Sequence, residues 1–284
     1  MRRKVNRDEV SRELLPGSSK ALLQELHLLT RDGDLNADAL RKLKQVNHLV
    51  RLLSPALDDV LGRFGDPVLV DCGSGKGYLG FILYELAVGP AGKGTLIGLE
   101  SRPELAKAAQ ERAARLGYDR MRFLATEVAG APVPLRVNLV TALHACDTAT
   151  DDAIVLAARH GADHVALVPC CQAEVARQLA EGKGTDPALL ELHHHAWHRR
   201  ELGSHLTNVI RALALEALGY QVTVTELAGW EHSLKNELIL GKKIRGESRA
   251  ARERLESLLA AAGVRPKLVR EMWGTRPEGT PAPV

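Results

Sequence analysis

The sequence predicts an α/β fold with a doubly wound, mostly parallel β-sheet. Two observations support this fold class. Five short apolar segments alternate with helical segments after Pro67, and two strand-like segments separated by a short loop close this region. We predict three parts: a helical region over 1–66, a central domain over 67–243, and a basic helix with a flexible tail over 244–284.

Helical periodicity dominates the first 66 residues. Apolar side chains recur at helical spacing in ADALRKLKQVNHLVRLL, residues 37–53, and Asn36 is the predicted N-cap of this helix. Pro55 is predicted to open a second, separate short helix, ALDDVLGRF.

The central region reads as alternating strands and helices. The five predicted strands cover 68–70, 95–100, 121–125, 137–145 and 164–169. The predicted helices between and after them cover 78–88, 103–117, 151–161 and a segment from about 172. Ser101 and Pro103 are typical of the N-cap and first turn of the second of these helices.

Three elements complete the predicted order. A long helix over 206–219 precedes the segments YQVTVTEL and ELILGKKI, which are predicted to form a hairpin at the sheet edge. An amphipathic basic helix over 244–263 follows them.

Composition limits the kinds of protein that this chain can be. Of its 284 residues, 45% are hydrophobic and 26% are charged, which excludes a disordered or collagen-like chain. The mean hydropathy is -0.12, and no apolar run reaches the roughly 20 residues of a membrane span. The N-terminus, MRRKVNRDEV, lacks the apolar stretch of a secretory signal, and four cysteines are too few for a disulfide scaffold. These features predict a cytoplasmic protein.

The most informative stretch is VLVDCGSGKGYLG, residues 68–80, where an apolar strand meets a glycine cluster and then a helix. Glycines let the backbone turn sharply and approach a ligand closely, and the helix N-terminus offers unpaired N–H groups. The stretch therefore predicts a nucleotide-like ligand at the carboxyl edge of the sheet. Its G-x-G-x-G spacing differs from the G-x-G-x-x-G that is typical of dinucleotide binding.

Two acidic residues specify that ligand further. Asp71 ends the first strand, where a carboxylate suits a cationic or ammonium-bearing ligand better than a pyrophosphate. Glu100 ends the second strand, where a carboxylate can accept both hydroxyl protons of a ribose diol.

With these motifs, residues 66–243 resemble the class I S-adenosylmethionine (SAM)-dependent methyltransferases. The resemblance implies a Rossmann-like sheet of seven strands, the last two a hairpin, with an N-terminal helical cap. It implies SAM as the cofactor, with its methionine part near Asp71 and the glycines, its ribose on Glu100 and its adenine near Glu127. The cofactor-binding residues that it implies are Asp71, Gly73, Ser74, Gly75, Gly77, Tyr78, Glu100 and Glu127.

Two further motifs follow the fourth and fifth strands, ALHACDTATDD (142–152) and VPCCQAE (168–174). Because ligand chemistry in such sheets occurs outside these strand ends, both motifs are expected to border the transferred methyl group. Together with GSGKGYLG, they resemble a methyltransferase-like subfamily that is distantly related to the tRNA ribose methyltransferases. Related members often carry a histidine where this sequence has Ala173.

The catalytic candidates are His144, Cys146, Asp147, Cys170 and Cys171. In direct methyl transfer, His144 or Asp147 would take the acceptor's proton. In a covalent route, a cysteine thiolate would first attack a pyrimidine base. A metal site is not expected, because adjacent cysteines chelate one ion poorly and no C-x-x-C pair is present.

An RNA acceptor is the predicted partner, on the basis of two clusters of cationic residues. The clusters are Arg2, Arg3, Lys4, Arg7 and Arg12, and Lys242, Lys243, Arg245, Arg249, Arg252, Arg254, Arg265, Lys267 and Arg270. The alternatives are methylation of a protein or small molecule, and a non-catalytic SAM- or RNA-binding module.

A histidine-rich segment, LELHHHAWHRRELGSH (190–205), reads as a solvated helix near the substrate rim. Within it, Trp197, Arg199 and Arg200 could stack on and pair with a nucleic acid.

Overall fold

The computed structural model describes residues 18–27, 29, 37–143, 145, 147–169, 172–182, 187–227 and 237–274. Seven strands form one sheet: β1 Val68–Cys72, β2 Thr95–Glu100, β3 Met121–Ala125, β4 Leu139–Leu143, β5 His164–Val168, β6 Tyr220–Glu226 and β7 Glu237–Lys243. Their order is β3-β2-β1-β4-β5-β7-β6. The strands β1 to β5 are parallel, whereas β7 is antiparallel to both β5 and β6. The predicted Rossmann-like sheet with an edge hairpin is confirmed.

Ten numbered helices lie in the described part of the chain. They are α1 Lys20–Glu25, α2 Ala37–Arg63, α3 Tyr78–Leu83, α4 Pro103–Arg115, α5 Thr148–Arg159, α6 Glu174–Glu181, α7 Pro187–His193, α8 Ala196–Ala217, α9 Arg249–Ala262 and α10 Lys267–Trp273. A π-helical segment, Tyr84–Val88, and one short turn, Gly89–Ala91, extend α3.

Successive strand residues face opposite sides of the sheet, and each side has its own apolar core. Leu69 of β1 belongs to the core that α1 to α4 cover. Its neighbour Val70 belongs to the core that α5, α6, α8, α9 and α10 cover. Because both faces are buried, the central strands read as continuous apolar runs, which explains why the sequence located them well.

The helix α2 corrects the predicted break at Pro55, which lies inside one continuous helix of 27 residues. A proline in a helix interior removes one backbone hydrogen bond and costs about 3 kcal/mol. The buried side chains of Leu53, Leu57 and Val60 lie on either side of Pro55 and pack into the core. Burial of three such side chains, at about 1.5–3 kcal/mol each, outweighs that cost.

Other predicted helix ends move for local reasons. The N-cap of α4 is Arg102 rather than Ser101, because Pro103 restricts the residue before it to an extended conformation. The predicted helix over 78–88 becomes π-helical at Tyr84, where the Gly89 N–H donates to the Tyr84 carbonyl.

The helix α8 begins ten residues before its predicted start. Gly203 resembles a helix breaker in the sequence. In the structure, however, a Cβ at this position would lie 2.7 Å from the Ala176 Cα. The glycine therefore permits close packing of α8 on α6.

Several expectations fall outside the described residues. They concern the Asn36 cap, the basic N-terminus and the tail from residue 275. The division at 66 and 243 stays a prediction, although α2, α9 and α10 all contribute to the cores on the sheet. None of the helices in the described ranges is long and apolar enough to cross a membrane.

Candidate functional site

The glycine-rich loop lies between the end of β1 and the start of α3, at the carboxyl edge of the sheet. All three of its glycines have positive φ angles, 66° at Gly73, 56° at Gly75 and 76° at Gly77. Residues other than glycine rarely adopt this backbone conformation, so the shape of the loop depends on these three glycines. A Cβ on Gly75 would have no atom closer than 3.9 Å. That is an ordinary van der Waals separation, so the positive φ angle, rather than a lack of space, favours glycine at this position.

Glu100 connects the end of β2 to this loop. Its Oε2 accepts a hydrogen bond from the Gly75 N–H at 2.8 Å, and its Oε1 accepts from the Arg102 side chain at 2.8 Å. Burial alone would raise the pKa of Glu100, but the hydrogen bonds from Arg102 and Gly75 lower it below its ordinary value. The carboxylate is therefore ionised and fixed beside the glycine loop.

Asp71 is buried behind the loop. Its Oδ1 accepts from the Thr141 hydroxyl on β4 at 2.8 Å. Burial raises the pKa of Asp71 to about 7, and the Thr141 hydrogen bond only partly offsets this effect. A nearby cationic ligand would stabilise the ionised form.

The other predicted cofactor residues surround the same loop. The buried Ser74 Oγ has no hydrogen-bond partner within the described residues, which is unusual for a buried hydroxyl. Tyr78 opens α3. Glu127 is exposed two residues after β3, and the preceding residue, Thr126, donates its N–H to the Glu100 carbonyl at 3.0 Å. The positive-φ glycines, the unpaired hydroxyl and the two carboxylates fit the predicted cofactor.

The motif loops after β4 and β5 adjoin this site. Ala145 has its Cβ 3.4 Å from the position that a Cβ on Gly73 would occupy. Asp147 accepts a hydrogen bond at Oδ1 from the Ala173 N–H at 3.1 Å, and its Oδ2 lies 3.5 Å from Arg177. The predicted residues His144, Cys146, Cys170 and Cys171 lie outside the described residues.

A buried polar network under these loops was not found from the sequence. The Arg211 Nε donates to the Asp151 Oδ1 at 2.7 Å, and both side chains are almost fully buried. Asn208, one turn earlier on α8, contacts Gln172 and Glu237. An arginine within the otherwise apolar face of LTNVIRALALEALG was the available signal, because a buried charge requires a partner.

The second basic segment is largely neutralised by ion pairs. Its pairs include Arg249–Glu253, Arg252–Glu256, Arg254–Glu216, Arg265–Glu256, Lys267–Asp152 and Arg270–Glu174. This surface is therefore much less cationic than the sequence indicates. Within the described residues, no group of three or more histidine, cysteine or acidic side chains could hold a metal ion.

The histidine-rich segment spans two helices rather than one. His193 ends α7 and is buried, whereas His194 and His195 are exposed between α7 and α8. Trp197 is 59% exposed, and the Arg200 guanidinium lies 4.2 Å from the centroid of its ring. An aromatic and cationic surface thus stands at the N-terminal end of α8.

Comparison with protein families gives one match. Residues 41–178, just under half of the chain, match a family described as a methyltransferase domain. The match includes the glycine loop, Glu100 and both motif loops. No curated protein matches the sequence.

Similar solved structures include methyltransferases with different substrates. A Podospora anserina methyltransferase bound to S-adenosylhomocysteine is 16% identical with a TM-score of 0.49, covering 85% of this chain and 97% of that one. An rRNA methylase from Streptococcus thermophilus is 11% identical with a TM-score of 0.47, covering 69% and 96%. The geranyl diphosphate C-methyltransferase from Streptomyces coelicolor, crystallised with Mg²⁺, geranyl diphosphate and S-adenosylhomocysteine, is 16% identical with a TM-score of 0.43, covering 84% and 97%.

Proposed function

We propose that this protein transfers a methyl group from SAM to an acceptor, and that the acceptor is RNA. One observation carries the first part: an ionised, buried Glu100 is bonded at 2.8 Å to a loop of positive-φ glycines. The methyltransferase-domain match over 41–178 supports the same interpretation.

The roles of the cofactor-binding residues follow from their chemistry. Glu100 would accept hydrogen bonds from the ribose hydroxyls. Asp71, in its ionised form, would balance the positive charge of the methionine part. The Ser74 hydroxyl would gain the hydrogen-bond partner that it otherwise lacks. When bound, SAM supplies an electrophilic methyl group on a sulfonium.

Direct transfer needs only an aligned acceptor and a base. The protein would align the acceptor atom with the methyl carbon that SAM supplies, and a side chain would take the acceptor's proton. The Asp147 carboxylate is engaged by Ala173 and Arg177. We therefore propose His144 as the base, because the unperturbed pKa of a histidine side chain lies near neutral pH. Asp147 would connect the loops after β4 and β5.

The proposal of an RNA acceptor is supported by the surface at the N-terminal end of α8. Bases of single-stranded RNA stack on exposed aromatic side chains and on guanidinium planes. Trp197 with its stacked Arg200 supplies both. Protein or small-molecule methylation remains the second candidate.

Cofactor binding tests the proposal directly. We expect Asp71→Ala to weaken SAM binding at least tenfold, about 1.4 kcal/mol, because the ligand's cationic part loses its counter-charge. Calorimetry on the folded variant measures this affinity, with the exposed Asp119→Ala as the matched control. An affinity within threefold of wild type would contradict the placement. Radiolabelled SAM, incubated with RNA, protein and metabolite fractions, then identifies the acceptor.

The cysteines distinguish the two chemical routes. In direct transfer, Cys146→Ser and Cys170→Ser should retain substantial turnover, because serine is nearly isosteric with cysteine. In a covalent route, loss of the nucleophile should reduce turnover by several orders of magnitude. We expect the first result. A stable adduct with fluoropyrimidine-substituted RNA through Cys146, Cys170 or Cys171 would establish the covalent route instead.

A further inference from the structure

A buried ion pair lies where the candidate loops meet. The side chain of Arg211 is 1% exposed and that of Asp151 is 5% exposed. Buried ion pairs are poor evidence of stabilisation, because apolar residues of similar size often serve as well. Retaining such a pair inside an apolar helix face is better explained by the geometry that it imposes on its neighbours.

The second contact of Arg211 shows which neighbour is held. Its Nη2 donates to the Asp147 carbonyl at 2.7 Å. Asp147 has φ 47° and ψ -115°, a backbone conformation that residues other than glycine rarely adopt. Such a strained residue persists only where surrounding contacts hold it. Arg211 thus holds the loop after β4 in a conformation that the loop would not favour by itself.

The same network reaches the loop after β5 and the start of β7. The Asp147 Oδ1 accepts from the Ala173 N–H, while the Gln172 Nε2 donates to the Asn208 Oδ1 at 3.1 Å. The Asn208 Nδ2 in turn donates to the Glu237 Oε2 at 3.0 Å. Three segments at the carboxyl edge are therefore fixed from one face of α8.

The loop after β4 also contacts the glycine loop. The Thr150 hydroxyl donates to the Ala145 carbonyl at 2.7 Å, and Thr150 is fully buried. Ala145 in turn packs against Gly73 of the cofactor loop. Two carbonyls of the loop after β4 thus accept hydrogen bonds from flanking helices. The Ala145 carbonyl accepts from Thr150 of α5, and the Asp147 carbonyl accepts from Arg211 of α8.

We propose that Arg211 is a positioning residue for methyl transfer, and that it sets the loops after β4 and β5 in one fixed geometry against the cofactor loop. This inference rests on the proposed function. Arg211 itself contacts neither cofactor nor acceptor. Its effect on turnover comes from loop geometry, since misplacement of reacting groups by about 1 Å reduces rates on the order of a hundredfold.

The test removes both charges together, so that neither is left buried alone. The variant is Arg211→Gln/Asp151→Asn, and the matched control is Arg254→Gln/Glu216→Gln, which removes a partly exposed ion pair that also joins α8 to another helix. A third variant, Arg211→Lys, retains the charge but not the two-directional fork. Amide exchange by NMR reports on the Ala173 N–H, calorimetry gives the affinity for SAM, and transfer of labelled methyl to the RNA fraction gives turnover.

We expect exchange at the Ala173 amide to be at least tenfold faster in the double variant and unchanged in the control. We expect affinity for SAM within threefold of wild type, and turnover at saturating SAM at least thirtyfold lower. Arg211→Lys should lie between wild type and the double variant in both exchange and turnover. Wild-type exchange at Ala173, wild-type turnover despite faster exchange, or a loss of affinity for SAM as large as the loss of turnover would each overturn the inference.

Two further outcomes are also decisive. If the double variant does not fold, Arg211→Lys carries the test, and wild-type exchange at Ala173 in that variant would overturn the inference. If the wild-type protein transfers no methyl group to any fraction, the proposed function fails, while the exchange measurement still decides whether Arg211 fixes the loops.

Discussion

Asp71 shows at the residue scale how burial and ligand binding oppose each other. Its carboxyl is buried, and its pKa rises from the ordinary 3.8 to about 7. Between these two pH values the unfolded chain releases the proton while the folded protein keeps it. The unfolded state therefore binds fewer protons, so stability falls as the pH rises through this window and levels off above the folded pKa.

Replacing Asp71 by asparagine should remove this dependence. Relative to Asp71→Asn, we expect the wild-type free energy of unfolding to fall by about 3 kcal/mol between pH 4 and pH 7, at about 1.4 kcal/mol per tenfold change in proton affinity. Urea unfolding of both proteins at several pH values, without ligand, measures the difference. Asp119→Asn, at an exposed position, is the control and should show no such trend. A wild-type-to-variant difference that is constant with pH would contradict the assignment.

At the scale of single elements, α2 has an interior proline that its packing tolerates. Pro55 is exposed, so its ring contributes little to the core, while the Arg51 carbonyl lacks its normal helical donor. We expect Pro55→Ala to raise the free energy of unfolding by about 1–3 kcal/mol. Pro103→Ala, in the first turn of α4, should leave stability unchanged or slightly lower it, because no helical hydrogen bond is missing there. Equal effects of the two substitutions in urea unfolding would contradict this account.

The elements also show what the sequence could predict. The strands β2 and β3 were located to the residue, because turn residues bound both segments. The strand β2 is almost entirely buried, whereas β3, at the sheet edge, alternates buried and exposed residues over its first three positions. The glycine loop was also visible in the sequence, since Asp71 and the three glycines lie within seven residues, and Glu100 stands at the end of the next predicted strand. The network under the motif loops was not, because Arg211 and Asp151 are 60 residues apart and meet only after α5 and α8 pack together. Helix ends moved where tertiary packing or a proline outweighed local signals, as at Gly203 and Arg102.

At the scale of the whole molecule, the cationic residues available to a ligand are those that remain after ion pairs with acidic residues are taken into account. The chain carries a net charge of +3, and its two basic runs look equivalent in the sequence. In the structure most cations of the second run have acidic partners, so few of them are available for phosphate groups. We therefore expect the N-terminal run, rather than the second run, to supply the phosphate contacts of the proposed RNA binding.

This difference can be measured with unfractionated tRNA as the probe. Replacing Arg2, Arg3, Lys4 and Arg7 by glutamine should weaken binding and reduce the slope of log affinity against log salt, by about 0.7–0.9 for each phosphate group that the variant no longer neutralises. Replacing Arg249 and Arg254 by glutamine should leave both the affinity and the slope nearly unchanged, since each already faces a glutamate. Titrations between low and physiological salt compare the three proteins. Equal reductions in the two variants would show that the ion pairs of the second run open on binding. A wild-type affinity that does not change with salt would instead point to a protein or small-molecule acceptor, because only counterion release from a polyanion gives that dependence its magnitude.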